Sequence, residues 1–318
     1  MNDDSRYYNY SERDYYNDQA HDLRSLTQSN RKRRTFTISI LSGKGGVGKS
    51  NIAASLSCAL ADFGKRVVLF DADLGLANLD ILCGVKAKYN LAHLITGSKS
   101  LREILLPLPR TPQSINNKGS VILLPGGVGI KEIAELGDND SRQVFESLAG
   151  LEKLADYLIM DAGAGIHKGV LSFGYASDIT LLVTSPEPTS VRDAYGVIKS
   201  LGPDAWMRNN GAGLMLIVNM ASSRKQAHEV ADRIRIASTK FLGNAPVYLG
   251  YVLRDQVVER AVRACRIFYR LEPKSPASAC ITNIAVELLR LCEGVRVKSQ
   301  PIPKDGVLKT FFKQIFGK

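Results

Sequence analysis

Eight residues constrain this chain more than any others: Gly43–Ser50, GKGGVGKS, satisfies the pattern G-x-x-x-x-G-K-[ST] and carries a second lysine at Lys44. Gly43, Gly45, Gly46 and Gly48 let the backbone curl so that successive N–H groups converge on an anion. The flanks agree with this reading. Thr35–Leu41, TFTISIL, alternates as a strand, and Asn51–Phe63, NIAASLSCALADF, has the composition and length of a helix. Strand, glycine loop and helix set a phosphate against the positive end of a helix. The loop residues Gly43, Lys44, Gly45, Gly46, Val47, Gly48, Lys49 and Ser50, with Asn51 beyond them, are therefore expected to hold a nucleotide. Lys49 would reach its β- and γ-phosphates, and the Ser50 hydroxyl would ligate the Mg2+ that neutralises them.

Further strands arrive with polar residues at their ends. Arg66–Phe70 reads as a buried strand that runs into DADLGLANLD, Asp71–Asp80. Carboxylates at a strand's C-terminal edge lie beside the phosphate loop of a parallel sheet, so Asp71 and Asp73 are expected to face the metal and the γ-phosphate. Asp80 belongs either to this segment or to the cap of the next helix. Val121–Leu124 leads into Pro125, Gly126, Gly127 and Gly129, and Tyr157–Met160 ends at Asp161 of DAGAGI. A hydrophobic strand delivering one carboxylate to the hydration shell of Mg2+ is the Walker B arrangement. After Asp178–Thr184, Pro186 and Pro188 stop the strand, and Thr189 or Ser190 can cap a helix. Leu214–Val218 then ends at Asn219. The strand-then-helix rhythm implies an α/β fold, a doubly wound and mainly parallel sheet of the P-loop NTPase type, with right-handed crossovers gathering the site on one edge.

Composition narrows the class. The 318 residues, 45% hydrophobic, suffice for one large α/β domain or two small ones. Five scattered cysteines without a C-x-x-C pair point to reduced core thiols of a cytoplasmic protein and against an iron–sulfur carrier. No signal-peptide core and no run of about 18 apolar residues occurs, against export by that route and against a membrane span. The net charge is +11, and residues 219–318 carry 18 basic and 8 acidic groups, so nearly all of the excess lies there. A basic end suits an anionic partner such as lipid headgroups, nucleic acid or an acidic protein.

Lys44 is not needed to close the cradle. It either helps to attract the nucleotide as a solvated cation or has a separate task. The run KGGVGKS resembles the deviant Walker A motif of the MinD/ParA ATPases, in which this lysine of one subunit contacts the nucleotide of the other. The resemblance implies ATP and Mg2+ as cofactors, an ATP-dependent homodimer and a catalytic set of Lys44, Lys49 and Asp73. Asp73 would orient the attacking water within switch I, while Asp71 and Asp161 join Ser50 around the metal. Asn78 would lie near the dimer face, Asn219 would bond the adenine, and a loop over Tyr251–Asp255 would close on the ring.

The two ends separate the branches of that family. Asp18, Gln19, Ala20, Leu23 and Arg24 in DQAHDLR resemble the activator motif DQAxxLR of the FlhG family, also called FleN or YlxH. Members use it to stimulate FlhF, a GTPase related to those of the signal-recognition particle. GLANLD, DAGAGI, PEPTSVRDAY and YLGYVLRDQVVERAV extend the resemblance over roughly residues 18–290, with Val128 as a departure from the serine common in relatives. Polar residues 1–34 suit a flexible activator segment that orders on its partner, with RKRR at 31–34 as a solvated linker. Residues 35–295 suit the ATPase domain and 296–306 a Pro-rich linker. In residues 307–318, Leu308, Phe311, Phe312, Ile315 and Phe316 recur at helical spacing among lysines, the pattern of an amphipathic helix for an anionic membrane. The resemblance implies an ATP-hydrolysing switch, cytoplasmic and peripheral on the inner face of the membrane, that sets flagellar number or placement. FlhF, flagellar C-ring components or a flagellar transcriptional activator would be its partners. A MinD-type division-site regulator and a ParA-type partition ATPase that binds DNA are the competing readings.

Overall fold

The computed structural model describes residues 35–73, 77–109, 119–127, 144, 146–211 and 213–298. Among these, eight strands form one sheet in the order β3-β4-β2-β5-β1-β6-β7-β8. They are β1 (Phe36–Ser42), β2 (Arg66–Ala72), β3 (Leu106–Pro107), β4 (Ser120–Leu124), β5 (Tyr157–Ala164), β6 (Ile179–Thr184), β7 (Leu214–Ala221) and β8 (Val247–Leu253). Every pairing is parallel except that of β3 with β4. The central strands are buried along their whole length, β1 as FTISILS and β6 as ITLLVT. Near-continuous apolar runs are what a parallel sheet with both faces covered requires.

The helices in chain order are α1 (Lys49–Asp62), α2 (Leu79–Leu82), α3 (Leu91–Ile95), α4 (Leu101–Ile104), α5 (Lys168–Ala176), α6 (Pro188–Gly211), α7 (Arg224–Leu242), α8 (Gln256–Arg263), α9 (Phe268–Leu271) and α10 (Pro276–Lys298). One core joins the sheet to α1, α8, α9 and α10. Helices α5, α6 and α7 pack on the sheet outside that core. α1 is the most enclosed of the helices, with Ile52 through Ala61 buried, so the glycine loop that feeds it is anchored in the centre of the protein. Cys58, Cys280 and Cys292 are buried, Cys83 is half-buried, and Cys265 is exposed with a left-handed φ of 50°. A Cβ built on Gly84 would lie 2.6 Å from the Cys265 carbonyl oxygen, so the end of α2 and this turn are in close contact.

The doubly wound parallel sheet is present as the sequence implies, with differences at strand ends. β2 continues to Ala72 and β5 to Ala164, so Asp71 and Asp161 lie inside strands and not just past them. β7 continues past Asn219 to Ala221. Tyr251–Leu253, read as part of a loop over the base, is the end of β8, because these residues continue the pairing with β7. Asp80 lies within α2, where its carboxylate accepts from the N–H groups of Ile81 and Ala87. Neither Thr189 nor Ser190 precedes α6, since that helix begins at Pro188. The two-residue β3 carries no periodicity and is invisible to pattern reading.

Candidate functional site

The loop between β1 and α1 is held from both sides. Ser42 Oγ donates to the Lys44 carbonyl at 2.9 Å, and the Gly165 N–H donates to the Ser42 carbonyl at 2.8 Å. Gly48 adopts a left-handed φ of 85° as the N-cap of α1. That helix has neither a side-chain cap bond nor an acidic residue in its first turn, which leaves its N–H groups and positive end for an anion. A Cβ on Gly43 would overlap the backbone of Asp193. The first position of the loop must therefore be glycine for α6 to pack where it does.

Parallel pairing of β2 with β5 sets Asp71 and Asp161 directly opposite each other. Both are buried. Burial pushes the Asp161 carboxyl up to about 6, against the pull of the Lys49 ammonium and a bond from the Ser50 hydroxyl, with the charge of Asp73 adding to the rise. Its Oδ1 is buried without a hydrogen-bond partner. An orphaned carboxylate oxygen beside Lys49 and Ser50 is what a hydrated cation would satisfy, so this part of the site fits Mg2+.

Asp71, expected to support the metal, also carries two backbone bonds. Its Oδ2 accepts from Leu79 N–H at 2.9 Å and its Oδ1 accepts from Asp73 N–H at 3.4 Å. The carboxylate ties the start of α2 to the end of β2. Burial pushes it up to about 7; the bond from Leu79 opposes that rise and the charge of Asp161 reinforces it. Asp73 reaches across to the end of β5, where a Cβ on Gly163 would stand 3.5 Å from its Oδ1. Asn78 is exposed as the N-cap of α2, without a side-chain cap bond.

Lys44 finds its partners outside this cluster. Its Nζ donates to Glu187 Oε2 at 2.7 Å and to Thr189 Oγ1 at 3.2 Å, at the exposed start of α6. The bond to Lys44 lowers the Glu187 carboxyl from its usual range. Exposed pairs of this kind contribute little to stability, so the lysine is parked and not locked. Nothing in PEPTSV marks Glu187 or Thr189 beforehand as a partner of this lysine.

Beside the loop, Gly48, Asn51, Asn219, Met220, Val252 and Arg254 help line a cleft of about 100 Å³. Asn51 Oδ1 is buried there without a partner. Asn219 is buried, and its Nδ2 donates to the Val47 carbonyl at 2.7 Å, a bond to the loop that the sequence does not announce. The structure thus brings together Gly43–Asn51, Asp71, Asp73, Asp161 and Asn219. Asp18, Gln19, Ala20, Leu23 and Arg24 lie outside the described residues, as do Val128 and the set Leu308, Phe311, Phe312, Ile315 and Phe316. Among the described residues, no helix is long and apolar enough to cross a membrane.

Comparison with known proteins agrees with this geometry. Residues 38–264 match the family described as the CobQ/CobB/MinD/ParA nucleotide binding domain. The antiactivator FleN of Pseudomonas aeruginosa is 34% identical over 280 residues, covering 87% of this chain and 92% of its own. The flagellum site-determining protein YlxH of Helicobacter pylori is 34% identical over 285 residues, covering 89% and 90%. In fold, the chain is similar to the septum site-determining protein MinD of Pyrococcus horikoshii, solved in complex with Mg-ADP, with a TM-score of 0.60, 24% identity, and coverage of 84% of this chain and all of that one. Loop, carboxylates and relatives converge: the chain belongs to the FleN/YlxH (FlhG) group of flagellar regulators within the MinD/ParA family of Mg-dependent ATPases.

Proposed function

We propose that this ATPase is a dimerising switch: ATP and Mg2+ bring two protomers together, and hydrolysis releases them. The position of Lys44 carries the reading. Its exposed ammonium is engaged at the start of α6 and not by the carboxylates beside its own loop, so it is available to a nucleotide held by a second copy. Lys49 and Ser50 hold the phosphates and the metal, Asp161 supports the hydration shell, and Asp73 orients the attacking water. Asp71 acts one step back, by fixing the segment that carries Asp73. Bound Mg2+ supplies charge neutralisation at the phosphates. Light scattering with ATP and with ADP tests the dimer. Lys44→Ala should bind nucleotide yet stay monomeric, and an ATP-dependent dimer of that variant would overturn the assignment.

The output of the switch, in this reading, is the number or placement of flagella. The support is the kinship with FleN and YlxH and the sequences of the two ends. DQAHDLR, with Asp18, Gln19, Ala20, Leu23 and Arg24, stimulates an FlhF-type GTPase, and the segment with Leu308, Phe311, Phe312, Ile315 and Phe316 holds the dimer on an anionic membrane, two weak anchors acting together. GTPase assays with and without residues 1–30 test the first statement, which full stimulation by the shortened chain would refute. Sedimentation with anionic liposomes and ATP, comparing the intact chain with one ending at Lys304, tests the second, and equal binding would refute it.

A further inference from the structure

We propose that Asn219 is a positioning residue of the phosphate loop, so that a single amide serves both the base cleft and the phosphate cradle. The inference rests on the nucleotide reading above. Val47 sits between two left-handed glycines, Gly46 with φ 79° and Gly48 with φ 85°. Gly48 on one side of the Val47–Gly48 peptide, and Gly46 before Val47, let this stretch of backbone take more than one course. Because the peptide is planar and trans, its carbonyl and its N–H point to opposite sides. The bond from Asn219 Nδ2 to the Val47 carbonyl at 2.7 Å fixes the side of the carbonyl, and with it the opposite aim of the Gly48 N–H. Only the amide nitrogen can serve, since a carbonyl oxygen needs a donor.

The sheet is built to put that amide in place. β7 pairs with β8 at Val218 and Tyr251, then again at Ala221 and Leu253. Asn219 and Met220 therefore stand against Val252 alone, the two-against-one count of a bulge. Bulges re-aim side chains beside functional sites, and Met220 takes a left-handed φ of 59°, a conformation costly for a residue with a side chain. The fit at the far end is equally close: a Cβ on Gly48 would overlap Asn219 Nδ2. Asn219 also lines the cleft beside the loop, so a base seated there touches the residue that sets the shape of the cradle.

Inorganic triphosphate separates this role from base recognition, because it has phosphates and no base. Calorimetric titration of the full chain with Mg-triphosphate and with Mg-ATP should show Asn219→Leu and Asn219→Ala losing affinity for both ligands, by about fivefold or more for triphosphate, the worth of one neutral hydrogen bond. Leu keeps the volume of the amide without its donor, so it carries the test if Ala fails to fold, and matched thermal unfolding curves confirm the comparison. A loss confined to Mg-ATP, with triphosphate affinity unchanged, would overturn the proposal and leave Asn219 a reader of the base alone. Failure of the unaltered protein to bind either ligand would instead remove the nucleotide reading beneath it.

Discussion

Replacing Asp161 by Asn should stabilise the metal-free protein while abolishing ATP hydrolysis. The carboxyl is displaced from an ordinary 3.8 to about 6, chiefly by burial, and each unit is worth about 1.4 kcal/mol. Holding the carboxylate ionised in the fold therefore costs on the order of 3 kcal/mol at pH 8, net of what Lys49 and Ser50 return. Asn keeps the shape without the charge, and it also removes a charged neighbour from Asp71. The sign follows from proton counts: between pH 4 and 6 the folded state binds more protons than the unfolded one, so stability falls as pH rises. The difference between variant and wild type should be near zero below pH 4, grow up to about pH 6 and stay level above it. In chelator at pH 8 the variant should melt roughly 5 °C higher. Mg2+ with nucleotide should raise the melting point of the wild type far more than that of the variant. Differential scanning calorimetry across pH, with and without chelator, gives the answer. A variant less stable than wild type at pH 8 without metal, or a difference independent of pH, would refute the reasoning.

Other outcomes follow from the same contacts. Arg66 meets Asp156 through Nη2–Oδ1 at 2.9 Å and Nε–Oδ2 at 3.3 Å, and the Arg66 N–H donates to the same carboxylate at 2.9 Å. Asp156→Ala strands a largely buried guanidinium and should cost about 3 kcal/mol in urea unfolding, and a cost below about 1 kcal/mol would show the pair to be solvated. Gly119→Ala places a Cβ on the Ala61 carbonyl oxygen, where α1 meets the start of β4; about 1–3 kcal/mol should be lost, and an unchanged melting curve would mean the contact relaxes freely. Glu187→Ala releases Lys44 without touching the carboxylates. It should leave nucleotide affinity unaltered and shift the ATP-dependent dimer to lower protein concentration, while a weaker dimer would show that Glu187 acts across the interface.

What could be read from the residues alone was local and periodic. GKGGVGKS with its two flanks specifies strand, loop and helix, and the apolar runs ending in polar residues specify a parallel sheet with its chemistry along one edge. Asp71 shows the limit. Two aspartates spaced by one residue look alike as a string, yet one carboxylate is occupied by the N–H groups of Leu79 and Asp73 and the other lies toward Gly163. Which is which depends on how the chain turns after β2. Asn219 and Val47 are 172 residues apart, and their bond forms where the pairing of β7 with β8 slips by one residue. Tyr251–Leu253 joined the sheet because a neighbouring strand offered hydrogen bonds, a tertiary effect outweighing local pattern. Lys44 was legible as unusual, but its resting partner was not, since Glu187 is one exposed acid among many.

The distribution of thiols makes the protein easy to watch. Three of the five cysteines are buried, and burial pushes the thiol of the half-buried Cys83 well up from its ordinary range, where it reacts slowly. A maleimide dye should therefore attach at Cys265 without any cysteine being engineered away. The backbone of that residue abuts Gly84, at the end of the short helix that Asp71 anchors. A fluorophore there sits next to the segment that Asp71 joins to Asp73, and a change in that segment on nucleotide binding would be recorded as a change in light.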